Sequence, residues 1–165
     1  MRARGYSLVE IIVVIGVLSI LIVIAIPRFA EMAKRARTEE QTRTIYTELQ
    51  RAQANALYQR RTTRVKLYRD HFEIYSSQQD NLKGVAPIQT RALSYPVICN
   101  GAGDGLTGYP LDFDQKGLAT RCSICLDGTA GLGSVNSVVL SATRISIGKK
   151  EKPGDACTAE NITKR

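Results

Sequence analysis

Between Leu8 and Ile26 the chain is aliphatic almost without interruption, and from Ile11 onward only Gly16 and Ser19 break the run. As a helix, about 19 residues rising about 1.5 Å each reach about 28 Å, close to the roughly 30 Å hydrocarbon core of a bilayer. A helix that is apolar on every side needs lipid or other apolar helices around it. After Arg28 the sequence turns mixed and polar, so the chain reads as a hydrophobic anchor joined to a soluble body. The overall 44% hydrophobic content, ordinary for a globular domain, averages over that division.

Arg2 and Arg4 precede the apolar run, as basic residues precede the core of a secretory signal peptide. The small-x-small cleavage site expected after such a core is replaced by Pro27-Arg28-Phe29, so the apolar segment is expected to be retained. Glu10 interrupts its first turns. A carboxylate inside a membrane segment costs about 2.5–3.5 kcal/mol on insertion scales, so it persists beside a partner or near the solvated surface.

The basic leader, Gly5-Tyr6-Ser7-Leu8-Val9-Glu10 and the aliphatic run together resemble the processing site of the type IV pilin superfamily. The resemblance covers Arg2 to Pro27. It implies that residues 1–5 are a leader peptide, that a prepilin peptidase/N-methyltransferase cuts between Gly5 and Tyr6, and that the new amine of Tyr6 is methylated. Tyr6 departs from the commoner phenylalanine but keeps an aromatic ring. Glu10 then lies four residues beyond a cationic amine, one helical turn away, within reach of that amine on its own or an adjacent subunit. By resemblance this pairing selects and registers an incoming subunit during filament assembly. The implied partners are other pilins or pseudopilins, the processing enzyme and an inner-membrane assembly platform. The implied location is the inner membrane, single-pass with the head in the periplasm, and a pilus or pseudopilus after assembly. Positive-inside counting opposes this orientation, since Arg28, Lys34, Arg35, Arg37 and Arg43 follow the span and outnumber Arg2 and Arg4. The processing motif is the more specific signal.

Pro27 removes one backbone hydrogen bond from a continuing helix and is expected to kink it. Glu31 and Arg35, and Glu39 and Arg43, stand at i,i+4 spacing, while Ile45, Leu49, Ala52 and Ala56 form an apolar stripe. Helix is therefore expected from Tyr6 to about Arg60: residues 6–27 as transmembrane and assembly helix, 28–61 as the amphipathic helix of the head. Residues 62–165 read as a β-rich head with a C-terminal tail. Val65, Leu67, Phe72 and Ile74 alternate around Arg69-Asp70-His71 as in a hairpin, and further strands are expected at Ile88–Ile98, Pro110–Phe113, Leu118–Leu126, Ser137–Ser141 and Arg144–Ile147. The glycine-rich stretches Gly101–Gly108 and Asp127–Ser134 read as loops. The fold class is α+β, a long N-terminal helix packed on an antiparallel β-sheet head.

This body also resembles the GspH/FimT group of minor pilins and pseudopilins, over roughly Leu49 to Ile147. The pieces that carry it are Arg51-Ala52-Gln53-Ala54-Asn55-Ala56 before Arg60-Arg61, Val65-Lys66-Leu67, Phe113-Asp114-Gln115-Lys116-Gly117, and Val138 to Ile147. Members linked to DNA uptake can carry Gly-Arg-x-Arg in the last region. Here it reads Thr143-Arg144-Ile145-Ser146, so a DNA role is not carried over.

Cys99, Cys122, Cys125 and Cys157 lie beyond the anchor, and in an oxidising compartment an even count reads as two disulfides with three connectivities open. Cys122-Ser123-Ile124-Cys125 lacks the further ligands of a zinc ribbon and the setting of a redox centre. Side chains three apart on a strand face opposite sides, so Cys122 and Cys125 are expected to bond Cys99 and Cys157 in some order. His71, the single histidine, reads as a solvated turn residue. Asp104, Asp112, Asp114 and Asp127 lie in or near loops without the spacing of a calcium hand. No metal, cofactor or catalytic constellation is expected. A net charge of +8 and the basic residues Arg144, Lys149, Lys150 and Lys152 leave polyanion binding, DNA included, as a further reading. Asn161-Ile162-Thr163 matches a glycosylation triplet, a pattern frequent by chance. The leading expectation is a non-enzymatic minor type IV pilin that initiates or caps a pilus for motility, adhesion or DNA uptake. The alternative is a GspH-type pseudopilin of a type II secretion system.

Overall fold

A computed structural model of the chain describes residues 7–100 and 108–164. They fall into two compact units, Met1–Ala36 and Arg37–Arg165. The helix α1, Leu8–Gln59, contributes to both, with Pro27 inside it. The helix does not stop at the proline, because one lost bond is outweighed by those retained on either side.

In the first unit the aliphatic side chains from Leu8 to Ile26, with Phe29 and Met32, are exposed. Among the described residues α1 is the one helix long and apolar enough to cross a membrane, its best window having a mean hydropathy of 3.2. Ser19 does not break this surface electrically: its hydroxyl donates to the Ile15 carbonyl at 2.8 Å. Glu31 and Arg35 meet at 2.6 Å, as their spacing predicts.

In the second unit α1 becomes amphipathic. Thr38, Gln41, Thr42, Ile45, Glu48, Leu49, Ala52 and Ala56 are buried at three- and four-residue intervals, one stripe of the helix. It ends where Arg60 takes φ +50° and Arg61 N donates to the Ala56 carbonyl, a left-handed cap.

Nine strands follow among the described residues: β1 Thr63–Leu67, β2 His71–Tyr75, β3 Gln89–Ala92, β4 Val97–Cys99, β5 Tyr109–Phe113, β6 Cys122–Leu126, β7 Ser137–Leu140, β8 Ile145–Lys150 and β9 Ile162–Lys164. They form two antiparallel sheets, β3-β2-β1-β5 and β4-β6-β7-β8-β9. Both sheets contribute to a single core with the α1 stripe: Val65, Leu67, Phe72 and Phe113 from the first, Ile124, Val138, Leu140 and Ile145 from the second.

The inner strands of the second sheet are buried on both faces. Cys122 and Ile124 face the main core, whereas Cys125 joins Val139, Cys157 and Ile162 in a smaller cluster on the other side. The disulfides follow these faces, Cys99 with Cys122 and Cys125 with Cys157. The first ties β4 to β6 and the second staples the C-terminal segment over the outer face, so neither half of the CxxC bonds the other. A side chain at Gly148 would collide with Ile162 and the Thr163 carbonyl, which is why β9 can close against β8 there.

Several expectations need correction. Ile88–Ile98 is not one strand, because Gln89–Ala92 pairs in the first sheet and Val97–Cys99 in the second, with Pro96 in the turn between. The strand expected from Leu118 begins at Cys122, since Asp114–Leu118 is held as a turn by the Asp114 carboxylate. The 3-10 turn Asn81–Lys83 and β9 were not anticipated. His71 is not a solvated turn residue: it opens β2, half-buried, with its ring stacked on Tyr68 at 4.2 Å. Asp127–Ser134 is turn and irregular structure, as expected. Of the other glycine-rich stretch, residues 101–107 lie outside the described residues.

Leu49 is 2% exposed at the centre of the stripe. Leu49→Ala is expected to destabilise the head by about 2–5 kcal/mol, measured by denaturant unfolding, while Arg43→Ala on the exposed face should change it by less than about 0.5 kcal/mol.

Candidate assembly and interaction surfaces

Of the residues expected to act in processing and assembly, Gly5 and Tyr6 lie outside the described residues. Glu10 occupies the first turn of α1 and is exposed among Leu8, Val9, Ile11 and Ile12. The helix N-terminus favours a carboxylate there, which stabilises its unbonded N–H groups. Apolar neighbours on every side make this charge unfavourable once the helix leaves water, unless a cation joins it.

Within the head, polar side chains of α1 bind the loops that the sheets present to it. Gln41 receives the Tyr95 N–H at 2.8 Å and donates to the Tyr95 carbonyl at 2.7 Å. The Glu39 carboxylate accepts from Ser134 N at 2.6 Å, and Gln53 donates to the Gly117 carbonyl at 2.8 Å. Buried Glu48 is shared by Arg51 and Arg91 at 3.4 and 3.3 Å. These bonds set where each loop meets the helix, which the greasy stripe alone would not.

The outer face of the first sheet holds an ion network. Arg64 grips Asp112 with Nε and Nη2 at 2.7 and 2.8 Å, and its Nη1 reaches Asp80 at 3.0 Å. Lys66, 2% exposed, lies 3.5 Å from Asp80 and donates to Asn81 at 2.7 Å. Arg64 and Asp112 sit opposite each other across β1 and β5, so the sheet register makes the bidentate pair. The bond to Asp112 holds the Arg64 pKa above the usual arginine value. Burial by itself would raise the Asp80 carboxyl, but the Arg64 hydrogen bond and the Lys66 charge outweigh it and leave the pKa lowered. Nearby, burial followed by the bond to Glu73 raises the Tyr75 phenol, and the contact with His71 Nδ1 lowers Asp70.

The proposed DNA-contacting residues are not one patch. Arg144 is exposed just before β8, whereas Lys149 and Lys150 end that strand, about 17 Å away at about 3.3 Å per residue. Lys149 pairs with Glu151 at 3.0 Å. The bond from Ala119 N to the Ala142 carbonyl brings Arg121 beside the 141–144 turn, and Gly117 packs against Leu57 of α1.

The aspartates considered as calcium ligands have other roles. Asp112 holds Arg64, Asp114 accepts from Lys116 N and Leu118 N, and Asp127 meets Arg69 at 3.2 Å; Asp104 lies outside the described residues. Among the described residues no group of three potential metal ligands converges. Asn161 is exposed, its amide donating to the Ala156 carbonyl.

A lowered folded-state pKa means that Asp80 contributes stability above its unfolded value, near pH 3.9, and loses it as pH falls through the folded value. Asp80→Asn should therefore lower the melting temperature at pH 7 and narrow the difference from the parent below about pH 4, measured by circular dichroism across that range.

Comparison with known proteins reaches both ends of this description. Residues 1–26 match the family model of the prokaryotic N-terminal methylation motif. No curated protein matches the chain at a significant level. Among solved structures the chain is similar to the type IV minor pilin FimU of Pseudomonas aeruginosa PAO1, at 20% identity and a TM-score of 0.55, over 77% of this chain and 99% of that one. A second crystal form of FimU aligns at 21% identity and a TM-score of 0.49, over 73% and 99%. The chain thus carries a prokaryotic N-terminal methylation motif on residues 1–26 and shares the α+β fold of the minor pilin FimU.

Proposed function

We propose that the chain is a minor subunit of a type IV pilus, a non-enzymatic building block that initiates or caps the filament. The observation that carries this reading is the methylation motif on residues 1–26 joined by one helix to a head of minor-pilin fold. The leader, residues 1–5, is removed between Gly5 and Tyr6, and the Tyr6 amine is methylated. Residues 6–27 then hold the protein in the inner membrane with its head in the periplasm, where the two disulfides are stable. On assembly the same apolar surface exchanges lipid for neighbouring pilin helices, and the backbone hydrogen bond missing at Pro27 lets the anchor adjust to them. Other pilins, the processing enzyme and the assembly platform are the partners. A pseudopilus would use the same chemistry.

A second reading, polyanion binding, draws on the exposed cations Arg60, Lys116, Arg121 and Arg144, which form no ion pair among the described residues. Such a surface would bind DNA with a steep salt dependence, and filter-binding at two salt concentrations tests it.

Glu10→Ala separates assembly from anchoring. Removing an intramembrane carboxylate leaves insertion equal or easier, but the Tyr6 amine then enters the apolar filament core without a counter-charge, which is strongly unfavourable. The mutant should be retained in the membrane fraction at parental levels and be depleted several-fold from sheared filaments, read by immunoblot of both. Parental incorporation would mean that Glu10 is only a solvated surface residue.

A further inference from the structure

The first sheet leaves one edge open. On its β5 side the following segment closes over the ladder, through Thr120 N to the Asp112 carbonyl and a bridge between Phe113 and Ala119. On the other side β3 is the terminal strand, and Thr90, Arg91 and Ala92 are exposed. Leu93 N donates to the Asp70 carbonyl, and antiparallel bonding alternates from there, so Arg91 and Gln89 bond β2 while Thr90 and Ala92 turn their N–H and C=O groups outward. Gln89-Thr90-Arg91-Ala92 contains neither the proline nor the lysine that commonly protects such an edge.

Beside this edge runs a groove walled by α1. Arg37, Gln41, Thr44, Glu48, Arg51 and Asn55 recur at three- and four-residue intervals along its flank. The Glu48–Arg91 contact divides the groove into cavities of about 200 Å³ and about 140 Å³. Arginine is in excess there: Arg37, Arg51, Arg61 and Arg91 face only Glu40 and Glu48, and Glu48 is already shared by Arg51 and Arg91. Arg91 remains half exposed, with guanidinium donors left for another carboxylate.

We propose that this groove seats an extended acidic segment of a partner protein, which adds to β3 as a further strand. The unpaired ladder groups of Thr90 and Ala92 select a polypeptide, because a nucleic acid has no strand amides to offer them. The arginine surplus selects Asp and Glu at the positions facing α1, where every second side chain of the new strand points. Pairing with β3 of a second copy is disfavoured, because it would bring Arg91 near its own equivalent.

The test uses the full chain in detergent micelles with a fluorescein-labelled octapeptide of alternating Glu and Val, and the same peptide with Lys in place of Glu. The acidic peptide should bind at least about tenfold more tightly, a difference of about 1.4 kcal/mol, and slow amide exchange within residues 89–92. Arg91→Glu should reverse the preference. Thr90→Pro removes an outward N–H while keeping every charge and should abolish binding, its folding checked by circular dichroism. Equal affinity for both peptides, no measurable binding, unchanged exchange at β3, displacement of the peptide by an equal charge of single-stranded DNA, or protection of β3 by self-association without peptide would each overturn the proposal.

Discussion

One helix must satisfy two environments, and the rest of the molecule depends on how its sequence divides between them. Fully burying an aliphatic side chain is worth about 1.5–3 kcal/mol. The run from Leu8 to Ile26 therefore holds tens of kcal/mol that the chain cannot recover alone, since those side chains are exposed in it. From Thr38 to Ala56 the same helix meets its own partners and forms the core of the head. The first part needs lipid or other apolar helices, whereas the second buries its apolar stripe within the head.

Because the buried stripe is narrow and includes small residues such as Ala52 and Ala56, packing alone leaves the head's position on the helix loosely specified. Side-chain bonds supply what packing lacks. Gln41, Glu39, Gln53 and Glu48 each bind one loop or strand, and all are satisfied in ways that a shift of a single helical turn would break. The Arg64–Asp112–Asp80–Lys66 network has a comparable role on the opposite side of the first sheet, fixing the 3-10 turn over β1. Its ions are desolvated, so its worth lies more in specifying one arrangement than in net stability, in keeping with the strong penalty for removing a single partner.

What was legible in the sequence was what repeats. The 3.6-residue stripe of Ile45, Leu49, Ala52 and Ala56 and the two-residue alternation of Val65 and Leu67 with Phe72 and Ile74 located the spine and the first hairpin, and both came out as read. The opposed faces of Cys122 and Cys125 pointed each toward a distant cysteine, though not to which one. Contacts assembled across sequence distance were not legible. Arg64, Lys66, Asp80 and Asp112 look like solvated charges until two strands and a turn bring them together. Arg144, Lys149 and Lys150 look like one patch until a strand separates them. β9 pairs only because Gly148 clears space and Cys157 draws the tail across the sheet, neither of which a three-residue segment announces.

The central claim is that the apolar half of α1 is an assembly element released by a dedicated processing step, not an ordinary anchor or a removable signal. Intact-mass and N-terminal peptide mass spectrometry of the protein purified from its native membrane tests this most directly. The account predicts a chain that begins at Tyr6 with a methylated amine. A mature protein that still begins at Met1, or one that begins beyond Ile26, would contradict it.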